Sequence, residues 1–137
     1  AGIGGSATGG EVERGVEVKM GARDAERLGR LVLNEGRGDD IQNGRRAWIN
    51  DMLTPRSIAG PGLGYAYLWW TTDLRVGRSD EQVDAAFMLG NGGNIVLIIP
   101  ELSAVIVVQA TNYNDPAAFG LSRILIERHI LPVLADQ

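Results

Sequence analysis

Gly90-Asn-Gly-Gly-Asn94, Ile95-Val-Leu-Ile-Ile99, Pro100-Glu-Leu-Ser103 and Ala104-Val-Ile-Val-Val-Gln-Ala-Thr-Asn112 form one continuous stretch whose reading decides the fold. Two β-branched runs of strand length, joined by a short connection containing Pro100, read as an antiparallel hairpin. Neither run alternates between apolar and polar residues, so both faces of the sheet need cover from other structure. Gly92 and Gly93 leave the backbone bare where the first strand begins. A glycine there marks a bulge, or the close approach of a ligand or another backbone.

Upstream of this hairpin, Ala85 to Leu89 is short and apolar and leads into the glycines. Tyr65 to Thr72 is rich in aromatic and β-branched residues and reads as a further strand. Ile58 to Gly64 carries Gly60, Pro61, Gly62 and Gly64 and reads as a loop, and Asp73 to Asp84 reads as a charged connection. The spacing of Ala25, Leu28, Gly29 and Val32 predicts an amphipathic helix over Ala22 to Glu35. Gly36 is placed to stop it in a left-handed cap. A second, short helix covers Ala47 to Leu53 and ends before Pro55. After the hairpin, Asn112 to Pro116 reads as a turn and Ala117 to Leu134 as a closing helix. Phe119, Ile126 and Ile130 share one face of that helix, and Pro132 bends or ends it.

Residues 1–15 are glycine-rich and polar and read as a flexible arm, while Val16, Val18 and Met20 permit a short extended piece. Arg37 to Gly44 reads as a polar turn. The expected order is therefore helix, helix, three to four antiparallel strands, helix. This is an α/β chain of the α+β type, with 1–137 forming a single, partial domain. A sheet apolar on both faces needs more cover than these helices and an arm supply, so further structure is expected to complete it.

The 137 residues are enough for one domain with a real core. The net charge of −4 and the scatter of the arginines argue against a nucleic-acid surface. Arg45-Arg46 is the one dense basic group and reads as a solvated helix start. No apolar run reaches the roughly 18 residues that span a bilayer, and the N-terminus lacks the basic and apolar regions of a signal peptide. The absence of cysteine removes disulfides and thiolate chemistry. His129 is the only histidine and has no metal-ligand partners at suitable spacing. Asp39-Asp40 and Asp80-Glu81 read as solvated turns without an EF-hand pattern. The Gly2-x-Gly4-Gly5 and Gly9-Gly10 pairs do not lie between a strand and a helix, which leaves a dinucleotide site unsupported. No metal and no cofactor is expected.

Four blocks carry a resemblance. Met20-Gly-Ala-Arg-Asp-Ala-Glu-Arg-Leu-Gly-Arg-Leu-Val-Leu-Asn34 resembles the M-T-A-R-D-L-A-R-L-G-x-L-x-L-N helix of the serine β-lactamase-like hydrolases. These comprise class C β-lactamases, serine DD-peptidases, β-lactamase-fold esterases and 6-aminohexanoate-dimer hydrolases. Trp48-Ile49 to Met52-Leu53-Thr54-Pro55 resembles the family's W-I-x-x-M-x-x-P. Gly64 to Trp70 resembles its G-Y-G-Y-x-W-W strand. Gly90-Asn91-Gly92-Gly93-Asn94 with Pro100-Glu101-Leu102 resembles G-N/H-G-G-Q … P-E-L-D. The blocks span about residues 20–134, in family order and spacing.

The resemblance implies an incomplete β-lactamase/transpeptidase-like fold and a bacterial hydrolase of amides or esters acting through an acyl-enzyme. Its compartment is left open between periplasm or exterior and cytoplasm. In that family the third active-site motif lies on the strand lining the cleft, and here it maps to Asn91-Gly92-Gly93. The resemblance makes the Asn94 backbone N–H an oxyanion donor, turns Asn91 toward substrate, and leaves Gly92 and Gly93 bare for its approach. The nucleophile is missing: Ser6, Ser57, Ser79, Ser103 and Ser122 are followed three positions on by Gly9, Gly60, Gln82, Ile106 and Leu125, never by lysine. Tyr65, Tyr67 and Tyr113 do not begin Tyr-x-Asn. An activated serine needs a base held against it. The chain therefore looks like the C-terminal third of such an enzyme, inactive by itself, whose partner is a missing N-terminal segment or another copy. The alternatives are a non-catalytic, self-associating remnant and a small carbohydrate-binding module using Trp69 or Trp70. Those tryptophans, being adjacent on a strand, must face opposite ways, and core packing competes with any such role.

Overall fold

A computed structural model describes residues 2–8, 11–17, 19–36 and 46–136. Val18, the Gly9-Gly10 pair and the segment 37–45, which holds Asp39, Asp40 and Arg45, lie outside the described residues. Strands β1 (Gly2–Thr8) and β2 (Glu11–Glu17) pair antiparallel as a separate two-stranded ribbon. Most of the stretch read as a flexible arm thus has the backbone of a hairpin. Helix α1 (Ala22–Leu33) and helix α2 (Arg46–Leu53) follow. A six-stranded antiparallel meander then runs through β3 (Ser57–Gly60), β4 (Leu63–Ala66), β5 (Trp69–Arg75), β6 (Gln82–Gly90), β7 (Asn94–Ile99) and β8 (Ala104–Val108). The chain closes with α3 (Ala118–Leu125), a π-helical turn (Ile126–Ile130) and α4 (Leu131–Ala135).

The architecture is α+β, with six strands in the main sheet rather than three or four. Two sequence signals hid the difference. The Gly-rich segment read as a loop forms β3 and β4, folded about Gly62 at φ 67°. The run Tyr65 to Thr72, read as one strand, reverses direction at Tyr67-Leu68. Both residues sit at positive φ, 37° and 75°, as a two-residue hairpin turn demands, yet neither is the Asn or Gly that usually signals one. The turn is held from outside: the Tyr67 ring lies 5.5 Å from that of Trp48, and the Arg56 guanidinium sits 4.8 Å above it.

Both faces of the sheet are buried, as the unalternating strands require. Leu74, Phe87, Ile95, Leu97 and Ile106 point to the face covered by α3, the π turn and α4, where Ile126 and Leu131 meet them. Trp69, Ala86 and Ile98 point to the other face, under Val32 of α1 and Ile49, Met52 and Leu53 of α2. Ala25, Gly29 and Val32 form the buried side of α1. A Cβ at Gly29 would lie 2.5 Å from Val105 Cγ1, so the missing side chain is what lets α1 rest directly on the sheet. Past the helix, Glu35 and Gly36 take positive φ, and the Gly36 N–H donates to Leu31 O at 2.8 Å, closing the predicted left-handed cap.

The C-terminal helix widens because of Pro132. In the π turn the Leu131 N–H donates to Ile126 O. The next bond in that pattern would run from residue 132 to Glu127 O, and proline has no N–H to give. Gly77 supplies it instead: its N–H donates to Glu127 O at 2.8 Å. The side chain of Glu127 continues the clasp. β4 pairs with β5 only as far as Thr72, which leaves the outer edge of β5 bare beyond it. Glu127 Oε1 accepts from the Arg75 N–H at 3.2 Å, and Arg123, paired with Glu127 at 3.0 Å, donates to Asp73 O. Two side chains thus stand in for a strand.

Leu68→Gly tests the hairpin reversal. Leu68 is exposed and held at φ 75°, a region that disfavours side chains by about 1 kcal/mol. The variant is expected to be as stable as the parent or up to about 1 kcal/mol more stable in urea denaturation. Glycine inside a continuous strand would instead cost stability.

Candidate functional site

The turn between β6 and β7 is where the sequence places its candidate residues. Gly90 pairs with Asn94 across the hairpin, and Asn91, Gly92 and Gly93 make the turn between them. Gly92 and Gly93 take φ of 86° and 83°, which side-chain-bearing residues rarely adopt. What approaches the bare backbone is the protein itself. A Cβ on Gly93 would lie 2.6 Å from Ala118 O and 2.8 Å from Ser122 Oγ, and one on Gly92 would lie 3.1 Å from the Tyr113 ring. Of the two expectations for these glycines, a ligand or another backbone, the second is met at Gly93 by the first turn of α3.

The polar groups of the turn are also committed. The buried Ser122 hydroxyl donates to Gly93 O at 2.7 Å. The Asn94 amide bonds both backbone groups of Ala110: its Nδ2 donates to Ala110 O at 3.1 Å, and its Oδ1 accepts from the Ala110 N–H at 3.1 Å. Its Nδ2 also donates to Asn91 O at 2.6 Å. This amide extends the β7–β8 ladder past Val108, where the strand pairing ends. Asn91 is exposed, and its amide reaches the loop after β8, accepting from the Asn114 N–H at 2.9 Å and donating to Asn114 Oδ1 at 3.1 Å. Asn91, Tyr113 and Asn114 are the exposed rim of this end of the sheet.

Chemically, the rim offers amide and phenol hydrogen bonds and no activated nucleophile. Ser122 is the serine in contact with the turn, and its hydroxyl is spent on a carbonyl rather than held by a base. The tryptophans face opposite ways, as alternation requires. Trp69 is only 1% exposed. Trp70 is half-buried, with ring centroids 4.6 Å from Tyr65 and 6.5 Å from Phe87. Trp69 therefore has no face to offer a sugar ring, and Trp70 packs between half-buried Tyr65 and the core residue Phe87. Among the described residues no group of three or more acidic or histidine side chains could hold a metal ion, and no helix is long and apolar enough to cross a membrane.

The opposite end of the sheet holds a feature that reading the sequence missed. A cleft of about 590 Å³ opens between the β5–β6 connection and the π turn, lined by Asp73, Arg75, Arg78, Arg123, Glu127 and Arg128 together with Gly77. These residues span 56 positions of sequence, with no local motif to announce them. Only the clasp between β5 and the C-terminal helix brings them together.

Comparison with protein-family models yields no match, and comparison with curated proteins yields none either.

Gly93→Ala and Ser122→Ala separate a packing joint from a ligand site. The first forces a methyl against a backbone carbonyl at positive φ, and should cost several kcal/mol or abolish folding. The second leaves a carbonyl without its donor and should cost about 1–3 kcal/mol. Denaturation midpoints of the two variants check both values.

Proposed function

We propose that this chain is the C-terminal part of a serine hydrolase of the β-lactamase-like family, which cleaves a small amide or ester through an acyl-enzyme. In this reading β7 is the strand on the oxyanion side, the Asn94 backbone N–H is one oxyanion donor, and Asn91, Gly92 and Gly93 belong to the substrate side. The supporting observation is that the four resembling blocks fall on α1, α2, the β4–β5 hairpin and the β6–β7 hairpin. These elements pack as layers of one unit rather than as scattered pieces. The serine, its lysine and the tyrosine base are supplied by residues other than these.

A second reading is favoured by a different observation. Asn91, Gly92, Gly93 and Asn94 all make contacts within the chain, while among the described residues no strand lies beside the outer edges of β3 and β8. A non-catalytic remnant that pairs an open edge with another copy fits those facts. The coding sequence upstream of Ala1 distinguishes the two: an in-frame Ser-x-x-Lys supports the hydrolase, and a start at Ala1 supports the remnant.

Purified alone, the chain is expected to leave a chromogenic β-lactam and a p-nitrophenyl ester unhydrolysed. Loss of one oxyanion donor costs about 10²- to 10³-fold, and here the attacking group itself is lacking. Intact mass after incubation is the check, and an acyl adduct on any of the five serines would contradict it. Both readings also predict association through an open edge. Light scattering at micromolar concentration should give a mass above that of the 14.7 kDa monomer, and a stable monomer would count against edge pairing.

A further inference from the structure

The geometry points to a binding site for a small ligand carrying two anionic groups, in the cleft between the β5–β6 connection and the π turn. The cleft inverts the charge of the molecule. The chain carries a net −4, yet four arginines line this space against one aspartate and one glutamate. Glu127 is already neutralised by Arg123, 3.0 Å away, and Arg123 is tied down further by Asp73 O. That leaves Arg75, Arg78 and Arg128 in the lining with Asp73 as the one other acidic residue. Among the described residues none of these three guanidiniums makes a salt bridge.

Four other arginines of the helices and the loop after α2 do have acidic partners. Arg27 pairs with Asp24, Arg30 with Glu26, Arg46 with Glu35 and Arg56 with Asp51. Three guanidiniums without a salt bridge thus line one concave surface.

Local structure holds the cleft open. Gly77 turns at φ 65° against Pro132, and its N–H is fixed on Glu127 O. Arg78 on the connection and Arg128 in the π turn are each the next residue after one partner of that bond. Widened helical turns of this kind often accompany functional sites. Planar guanidinium forks match phosphate and carboxylate oxygens two at a time, and a space of about 590 Å³ suits a metabolite-sized ligand. The chemistry shared by a phosphate ester and a dicarboxylate is what this site would recognise. It lies at the far end of the sheet from Asn91–Asn94, and the inference holds whether or not the hydrolase reading does.

Two probes and two pairs of variants test it. Amide chemical shifts of the 137-residue chain are followed during titration with inorganic pyrophosphate and, separately, with succinate. Saturable shifts at Gly77, Arg78 and Arg128 are expected with at least one probe, and which probe binds tighter tells phosphate from carboxylate recognition. Arg78→Glu/Arg128→Glu should weaken binding at least tenfold. Arg23→Glu/Arg27→Glu, an equal change in net charge on α1 across the sheet, should leave it within about twofold. Arg78→Gln/Arg128→Gln repeats the test without charge reversal, in case the first pair perturbs folding. No saturable binding of either probe, shifts that map elsewhere, or equal weakening in both charge-reversed pairs would overturn the proposal.

Discussion

Ile98 and Ile99 are adjacent in β7, point to opposite faces of the sheet, and are both 0% exposed. That pair is the constraint on which the rest of the structure depends. A strand buried on both sides must have a layer above and a layer below, and each such side chain contributes about 1.5–3 kcal/mol only if its layer stays in place. α1 and α2 form one layer, and the C-terminal helix forms the other. Gly29 and Gly93 allow the close seating: each is a position where a side chain would push a helix off the sheet.

The C-terminal helix is fastened at both ends of the sheet by different means. At one end the Ser122 hydroxyl holds the carbonyl of Gly93. At the other, the carbonyl orphaned by Pro132 is taken by Gly77, and Glu127 with Arg123 pairs the bare edge of β5. A proline that reads as a helix breaker is here the reason the helix binds its neighbour. The same fastening draws together arginines distant in sequence and makes the charged cleft.

The helices and the central hairpin were legible in the sequence because their signals are local. Ala25, Gly29 and Val32 repeat at helical spacing, Gly36 caps, Pro55 stops, and the valines and isoleucines of β7 and β8 speak for a buried sheet. The β4–β5 hairpin was not, since its turn uses Tyr67 and Leu68 in a conformation that Asn or Gly normally takes. Tertiary contacts from Trp48 and Arg56 hold that turn, and no window of sequence contains them all. At the candidate site, the glycines correctly marked a close approach. What approaches was not legible, because Ala118 and Ser122 lie more than 20 residues further along and meet Gly93 only when α3 folds back.

These features make one claim: sheet, inner helices and C-terminal helix form a single cooperative unit, with the Asn91–Asn94 turn as its joint. Native-state amide hydrogen exchange, followed against denaturant, tests that claim most directly. The account predicts that amides of Leu97 to Ile99, Val32 and Ile126 exchange with one common free energy, that of global unfolding. If Ile126 and its neighbours exchanged through a much smaller opening while β7 stayed protected, the C-terminal helix would be a separable cover and the account would be contradicted.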